Sequence, residues 1–170
     1  MVIVDIDQIP TEISDVPMDD PIRVYKVCQE LESLCLQNNG IGISAVQAGI
    51  PWRLFLVKGD GTCPMIPKGK FGYFVNCDYK NTTEERVVSL EGCLSIRSTD
   101  GQLRSFQVER YLMVNLFGYR LLLNTNDMKF EEINYSLSVL QQGVVFQHEA
   151  DHSYGQERLI SKIGKEIFIW

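Results

Sequence analysis

Two histidines four residues apart, with a glutamate directly after the first, stand in the stretch Gln147-His148-Glu149-Ala150-Asp151-His152. On an α-helix, residues i and i+4 share a face about one turn apart, so both imidazoles can point at one metal ion. Glu149 then lies beside the ion rather than among its ligands, placed to handle a proton of water activated there. The chain has two histidines, and both are here. A pair of surface or packing histidines is the plainer explanation of such spacing; the glutamate and the apolar lead-in favour chemistry. A catalytic metal site of this kind usually has three protein ligands plus water. With no third histidine, the third ligand is a carboxylate or a thiolate. Cys93 stands out by its setting, Glu91-Gly92-Cys93-Leu94-Ser95. Gly92 frees the backbone to turn and leaves room beside the sulfur.

The composition bounds the functions open to such a site. A chain of 170 residues, 45% hydrophobic and 22% charged, suits one globular domain spanning 1–170 with a real core. A net charge of −6 argues against nucleic-acid binding, which needs clustered Lys and Arg, and against docking on anionic lipid. No apolar run approaches the roughly 20 residues of a membrane span. The start, Met-Val-Ile-Val-Asp-Ile-Asp, lacks the basic region of a signal peptide and the arginines of a transit peptide. Five cysteines without framework spacing favour free or metal-bound thiols in a reducing compartment, hence the cytoplasm.

The elements that must position these residues follow from local signals. Residues 1–20, with Pro10 and Pro17 and many acids, read as an extended arm. Asp20-Pro21 is a helix start, an Asp N-cap before proline at the first helical position. Apolar residues at helical spacing from Ile22 to Cys35 follow, until Asn38-Asn39-Gly40 ends them. Strands are predicted over 52–58, 71–76, 84–90, 106–116 and 119–123, the last two joined across Phe117-Gly118, with one more over 129–134. A polar loop is predicted over 98–105. Ser138 with Gln141 makes a capping box for a helix running to His152, with Gly155 as its stop. The tail from Leu159 to Trp170 is short and apolar-rich. Many strands between two helices, without strand–helix alternation, mean α+β: antiparallel sheets around a central helix carrying the metal motif, plus an N-terminal helix.

Three stretches taken together add more. Gly40-Ile41-Gly42-Ile43-Ser44-Ala45-Val46-Gln47, Glu91-Gly92-Cys93-Leu94-Ser95 and Gln147 to Gly155 resemble the three signature motifs of the peptide deformylase family, in the family's order and at similar separations. The resemblance implies hydrolytic removal of the N-formyl group from nascent polypeptides that begin with formylmethionine, releasing formate. It implies one divalent metal ion, ferrous iron in most natural members, with zinc, nickel or cobalt able to take the site. Metal ligands would fall on Cys93, His148 and His152, and the general base on Glu149. Oxyanion donors would fall on the Gln47 side chain and the Leu94 backbone N–H. The backbone around Ile41 and Gly42 would pair with the substrate as an added strand. Val144 and Val145, one turn before His148, are candidate walls for the methionine side chain, as is Ile43. Glu91 would pair with Arg110 and brace the cysteine loop. Asp151 would orient a histidine, cap local backbone or simply face solvent. A monomer acting on N-formylmethionyl peptides, at the ribosome or free, completes the expectation.

The sequence also departs from the family pattern. Ser44 replaces the usual first alanine of the first motif, and Ser153 the usual leucine of the third. Cys77 follows Asn76 where proline is common. The segment from Ser95 to Arg110 is longer than in typical bacterial members, and the long C-terminal helix is absent from the sequence. Two rivals stay open. A zinc endopeptidase would use the same helix and need Glu157 or Glu166 as third ligand. A non-catalytic relative would keep the fold without turnover, though Glu149 and Gln47 are both intact.

Overall fold

The computed structural model describes residues 1–98, 101–124, 127–155, 158 and 160–167; Glu157, one candidate third ligand of an endopeptidase, lies outside them. Helix α1, Pro21–Gln37, starts where the Asp20 carboxylate accepts from the Arg23 N–H at 2.9 Å, with Pro21 at the first position. It buries the stripe Val24, Cys28, Leu31, Leu34 and Cys35. Two antiparallel sheets follow among the described residues. One has five strands in the order β1 (Gly42–Ser44), β2 (Leu54–Lys58), β3 (Phe71–Asn81), β6 (Met113–Asn124) and β7 (Asp127–Ser138). The other has three: β4 (Arg86–Arg97), β5 (Leu103–Tyr111) and β8 (Ile163–Ile167). Helix α2, Gly143–Ser153, carries the histidines.

Strand β2 explains why the two helices lie where they do. Leu54, Phe55, Leu56 and Val57 are all fully buried, because both faces of the larger sheet are covered. Leu54 and Leu56 join the core beneath α1, with Ile43, Tyr73, Val75 and Leu121. Phe55 and Val57 join the opposite core, with Phe74, Leu116, Leu137, Phe146 and Ala150. There Phe146 of α2 meets the rings of Phe74 and Phe55 edge-on, at 4.9 and 6.3 Å between centroids. The smaller sheet is tied to α2 by Gln147, whose side-chain amide accepts from the Tyr111 N–H at 3.0 Å and donates to the Tyr111 carbonyl at 2.9 Å. The arm lies along the larger sheet's rim. Ser14 bridges to Trp52, and Asn76 Oδ1 accepts from the Val16 N–H at 2.7 Å.

The strand boundaries differ from the sequence expectation in instructive ways. The break expected at Phe117-Gly118 is absent: β6 runs straight through it, and the chain turns at Leu112 instead. Gly118 has φ +135°, and a Cβ there would sit 2.7 Å from the Asn76 carbonyl and the Cys77 backbone. The glycine thus accommodates the bulge in β3 between Val75 and Asp78, where Asn76 takes φ +52°. Strand β3 accordingly continues past Asn76. The Ser138–Gln141 cap belongs to a 3₁₀ turn over Val139–Gln141, and α2 starts only after Gln142 has passed through φ +61°. The tail supplies a strand, β8, that adds to the free edge of β5. Its local pattern is too short to announce one; pairing with β5 decides it.

Three substitutions test this packing. Gly118→Ala puts a methyl into backbone atoms at a strained φ, with an expected loss of about 2–4 kcal/mol in urea unfolding; an unchanged midpoint would contradict the close approach of β3 and β6. Ser44 and Ser153, the two departures in the first and third motifs, meet with hydroxyls 3.4 Å apart, both fully buried. Each also has a backbone carbonyl within reach, of Leu54 and Glu149 respectively. Replacing either by alanine should cost about 0.5–1.5 kcal/mol, and the double-mutant cycle should show coupling of about 0.5 kcal/mol or more. Strict additivity would mean the hydroxyls do not share a hydrogen bond.

Candidate active site

Helix α2 delivers both imidazoles to one point, as their spacing requires, with ring centroids 5.1 Å apart. Cys93 comes from β4, on the other sheet. The ladder between β4 and β5 slips between Gly92 and Arg97, which takes Cys93 to Ile96 out of the regular pairing. The Cys93 Sγ lies 3.2 Å from His152 Nε2. Among the described residues, Cys93, His148 and His152 form a cluster whose ligand atoms all lie within 4.8 Å of one another, all buried.

These residues fit a metal ion on chemistry as well as distance. Ligands held about 2.0–2.3 Å from a tetrahedral centre stand roughly 3.3–3.8 Å apart, and one thiolate with two imidazoles suits zinc or iron. His148 Nδ1 lies 2.8 Å from Glu91 Oε2. With that nitrogen protonated toward the carboxylate, Nε2 keeps the lone pair a ligand needs. Burial lowers the His148 pKa, yet Cys93 and Glu91 outweigh it and hold it up to about 10. Burial and the adjacent His148 charge push His152 well below its ordinary value. In the absence of an ion, His148 is thus the imidazole that takes the positive charge and His152 the one that stays neutral.

Glu149 sits beside this cluster, 5% exposed. Its carboxylate packs against β1 where only glycine fits: a Cβ on Gly42 would lie 2.5 Å from Glu149 Oε1. Among the described residues Glu149 Oε2 has no hydrogen-bond partner. Burial raises its pKa to about 7, the range in which a carboxylate both takes and returns protons near neutrality. Gln47, on a 3₁₀ turn over Ala45–Ala48, has its carbonyl oxygen held by the Ser44 N–H at 2.8 Å. That fixes Nε2 toward Cys93 Sγ at 3.5 Å and Ser95 Oγ at 3.4 Å. Leu94 packs against the chain just before β1, its Cδ1 3.1 Å from where a Gly40 Cβ would be. The chain on either side of β1, at Gly40 and Gln47, thus meets β4 at Leu94, Cys93 and Ser95.

The residues expected from sequence to contact substrate, Val144, Val145 and Ile43 as walls and Ile41 through its backbone, separate. Ile41, Val144 and Val145 line a cavity of about 450 Å³ together with Lys58, Leu140 and Gln142. Ile43 does not; it is fully buried in the core beneath α1, because covering both faces of the larger sheet draws it inward. Glu91 meets Arg110 bidentately, Oε1 accepting from Nε at 2.7 Å and Oε2 from Nη2 at 2.6 Å. Arg110 and His148 hold the Glu91 pKa down to about 2 against the opposing effect of burial. Asp151 neither orients a histidine directly nor faces solvent. It is fully buried and accepts from Arg110 Nη1 at 2.6 Å, the helix having turned it away from the imidazoles. Ser95 and Gln147 are the contacts that sequence reasoning missed. Each stands at one end of a motif stretch without a role read from it, and only the fold shows what it touches.

A family model described as polypeptide deformylase matches residues 3–162. A peptide deformylase from Microchaete diplosiphon is 28% identical over 149 residues, which cover 84% of this chain and 78% of that protein. One from Rhodopirellula baltica is 28% identical over 144 residues, 85% of this chain and 63% of that protein. Among solved structures, a Plasmodium falciparum peptide deformylase matches with TM-score 0.73 and 22% identity, over 96% of this chain and 86% of its own. A class I type b peptide deformylase from Acinetobacter baumannii, bound to Met-Ala-Ser, matches with TM-score 0.71 and 23% identity, over 96% and 99%. Structural likeness at that identity speaks for the α+β fold, and the family model speaks for descent. The chain belongs to the polypeptide deformylase family, the enzymes that remove the N-formyl group from nascent chains.

Proposed function

We propose that the whole chain, 1–170, is one catalytic domain that hydrolyses the formyl amide of N-formylmethionyl peptides, with Cys93, His148 and His152 holding a divalent ion. The observation that carries this is the meeting of those three ligand atoms beside a buried glutamate with an unpartnered oxygen. Ferrous iron is the proposed native metal, with zinc, nickel or cobalt able to replace it. When bound, the ion supplies Lewis-acid activation of water and of the formyl carbonyl.

The chain's own residues do the rest. Glu149 takes the proton from the attacking water and returns it to the amine that leaves. The Gln47 Nε2 and the Leu94 N–H donate to the oxygen on which negative charge develops; losing one such donor typically costs about 10²–10³ in rate. The edge of β1, at Ile41 and Gly42, pairs with the peptide backbone and so accepts many sequences. The cavity walled by Ile41, Val144 and Val145 takes the methionine side chain. A monomer in the cytoplasm of a bacterium, or of a virus-infected bacterial host, acting on chains leaving the ribosome, is the setting proposed. No helix among the described residues is long and apolar enough to cross a membrane.

Formate release and metal content, measured together on anaerobically purified protein, test this reading. Glu149→Ala should keep its metal and lose about 10²–10⁴ of turnover. Cys93→Ala should lose the metal. A Glu149 variant with near-full activity would sink the mechanism. Cleavage inside an unformylated peptide would favour the endopeptidase instead.

A further inference from the structure

Asp151 is more heavily partnered than one arginine requires. Its Oδ2 faces Arg110, but Oδ1 accepts from Tyr79 Oη at 2.9 Å, Arg158 Nε at 2.9 Å and Lys162 Nζ at 2.6 Å. Arg158 also donates to Asp78 Oδ1 at 2.6 Å and lies over the rings of Tyr79 and Tyr154, at 4.9 and 4.8 Å. Lys162 contacts the Tyr79 hydroxyl and lies 5.0 Å over its ring. Both cations come from the segment between α2 and β8.

Charge balance says why they matter. Arg110 is one cation shared by two buried carboxylates, Glu91 and Asp151. A buried carboxylate without a full counter-charge is strongly unfavourable. Were Asp151 to depend on Arg110 alone, it would compete with Glu91 for the same guanidinium. Glu91 is the group that holds His148 Nδ1. We propose that Arg158 and Lys162 are positioning residues for the metal centre: by satisfying Asp151 Oδ1 they leave Arg110 to brace Glu91, and through Glu91 the His148 imidazole. The inference rests on the metal site proposed above. It makes Arg158 and Lys162, both beyond α2 in the chain, part of the centre's support.

Cobalt(II) titration of the full chain, read by its visible absorption, tests it without relying on turnover. Arg158→Ala should weaken cobalt binding by about 10–100-fold and shift the absorption bands, because supports around a ligand act at that scale. On a formylmethionyl peptide it should lower kcat with KM nearly unchanged. Arg158→Lys, which keeps the cation, should recover most of both. Lys162→Met, which removes one cation and leaves Arg158, should give a smaller change of the same kind and serves should Arg158→Ala fail to fold. Wild-type affinity and spectrum in both Arg158→Ala and Lys162→Met, whatever their Tm, would overturn the proposal. A wild-type chain that takes up no cobalt would overturn the metal site itself.

Discussion

A fully buried arginine joins the parts of this molecule that must meet. Arg110 stands on β5, grips Glu91 on β4 with two nitrogens, and reaches Asp151 on α2 with the third. Taking such charges out of water costs several kcal/mol per ion, so the arrangement is stable only with nearly every donor and acceptor used. Removing one partner leaves a buried charge without compensation, at a typical cost of about 3–5 kcal/mol. The network therefore does more for geometry than for net stability. It fixes where β4 sits relative to α2, and hence where Cys93 sits relative to the histidines.

The site itself lies on a seam. Strands β1 and β4 are edge strands of different sheets, and unpaired edges are normally a hazard. Here both edges turn toward the cluster. The same unpaired backbone that invites aggregation elsewhere is, in the proposed role, what receives an extended peptide. Gly42 lets the Glu149 carboxylate come against the β1 backbone, at a distance that a side chain on that strand residue would close off.

Some of this was legible residue by residue. Asp20-Pro21 marks a helix start by chemistry that acts over three residues. The spacing of His148 and His152 places both imidazoles on one helical face regardless of what surrounds it. Gly118 shows the opposite case. Its glycine looked like a turn because turns are where glycine is needed locally, while here the need comes from Asn76 and Cys77, distant in sequence. Asp151 likewise has neighbours that no local pattern announces, since Tyr79, Arg110 and Arg158 arrive from three separate segments.

The sequence by itself determined the kinds of group available: two imidazoles on one helical face, a carboxylate between them, a cysteine directly after a glycine, and α+β elements to hold them. Those properties depend on backbone geometry over a few residues. Only the tertiary structure decided that Cys93 meets His152, that Glu91 rather than Asp151 holds His148, and that Ile43 turns into the core. Each of these contacts depends on strand register, a bulge or the covering of both sheet faces, and such choices are settled by burial summed over the whole fold.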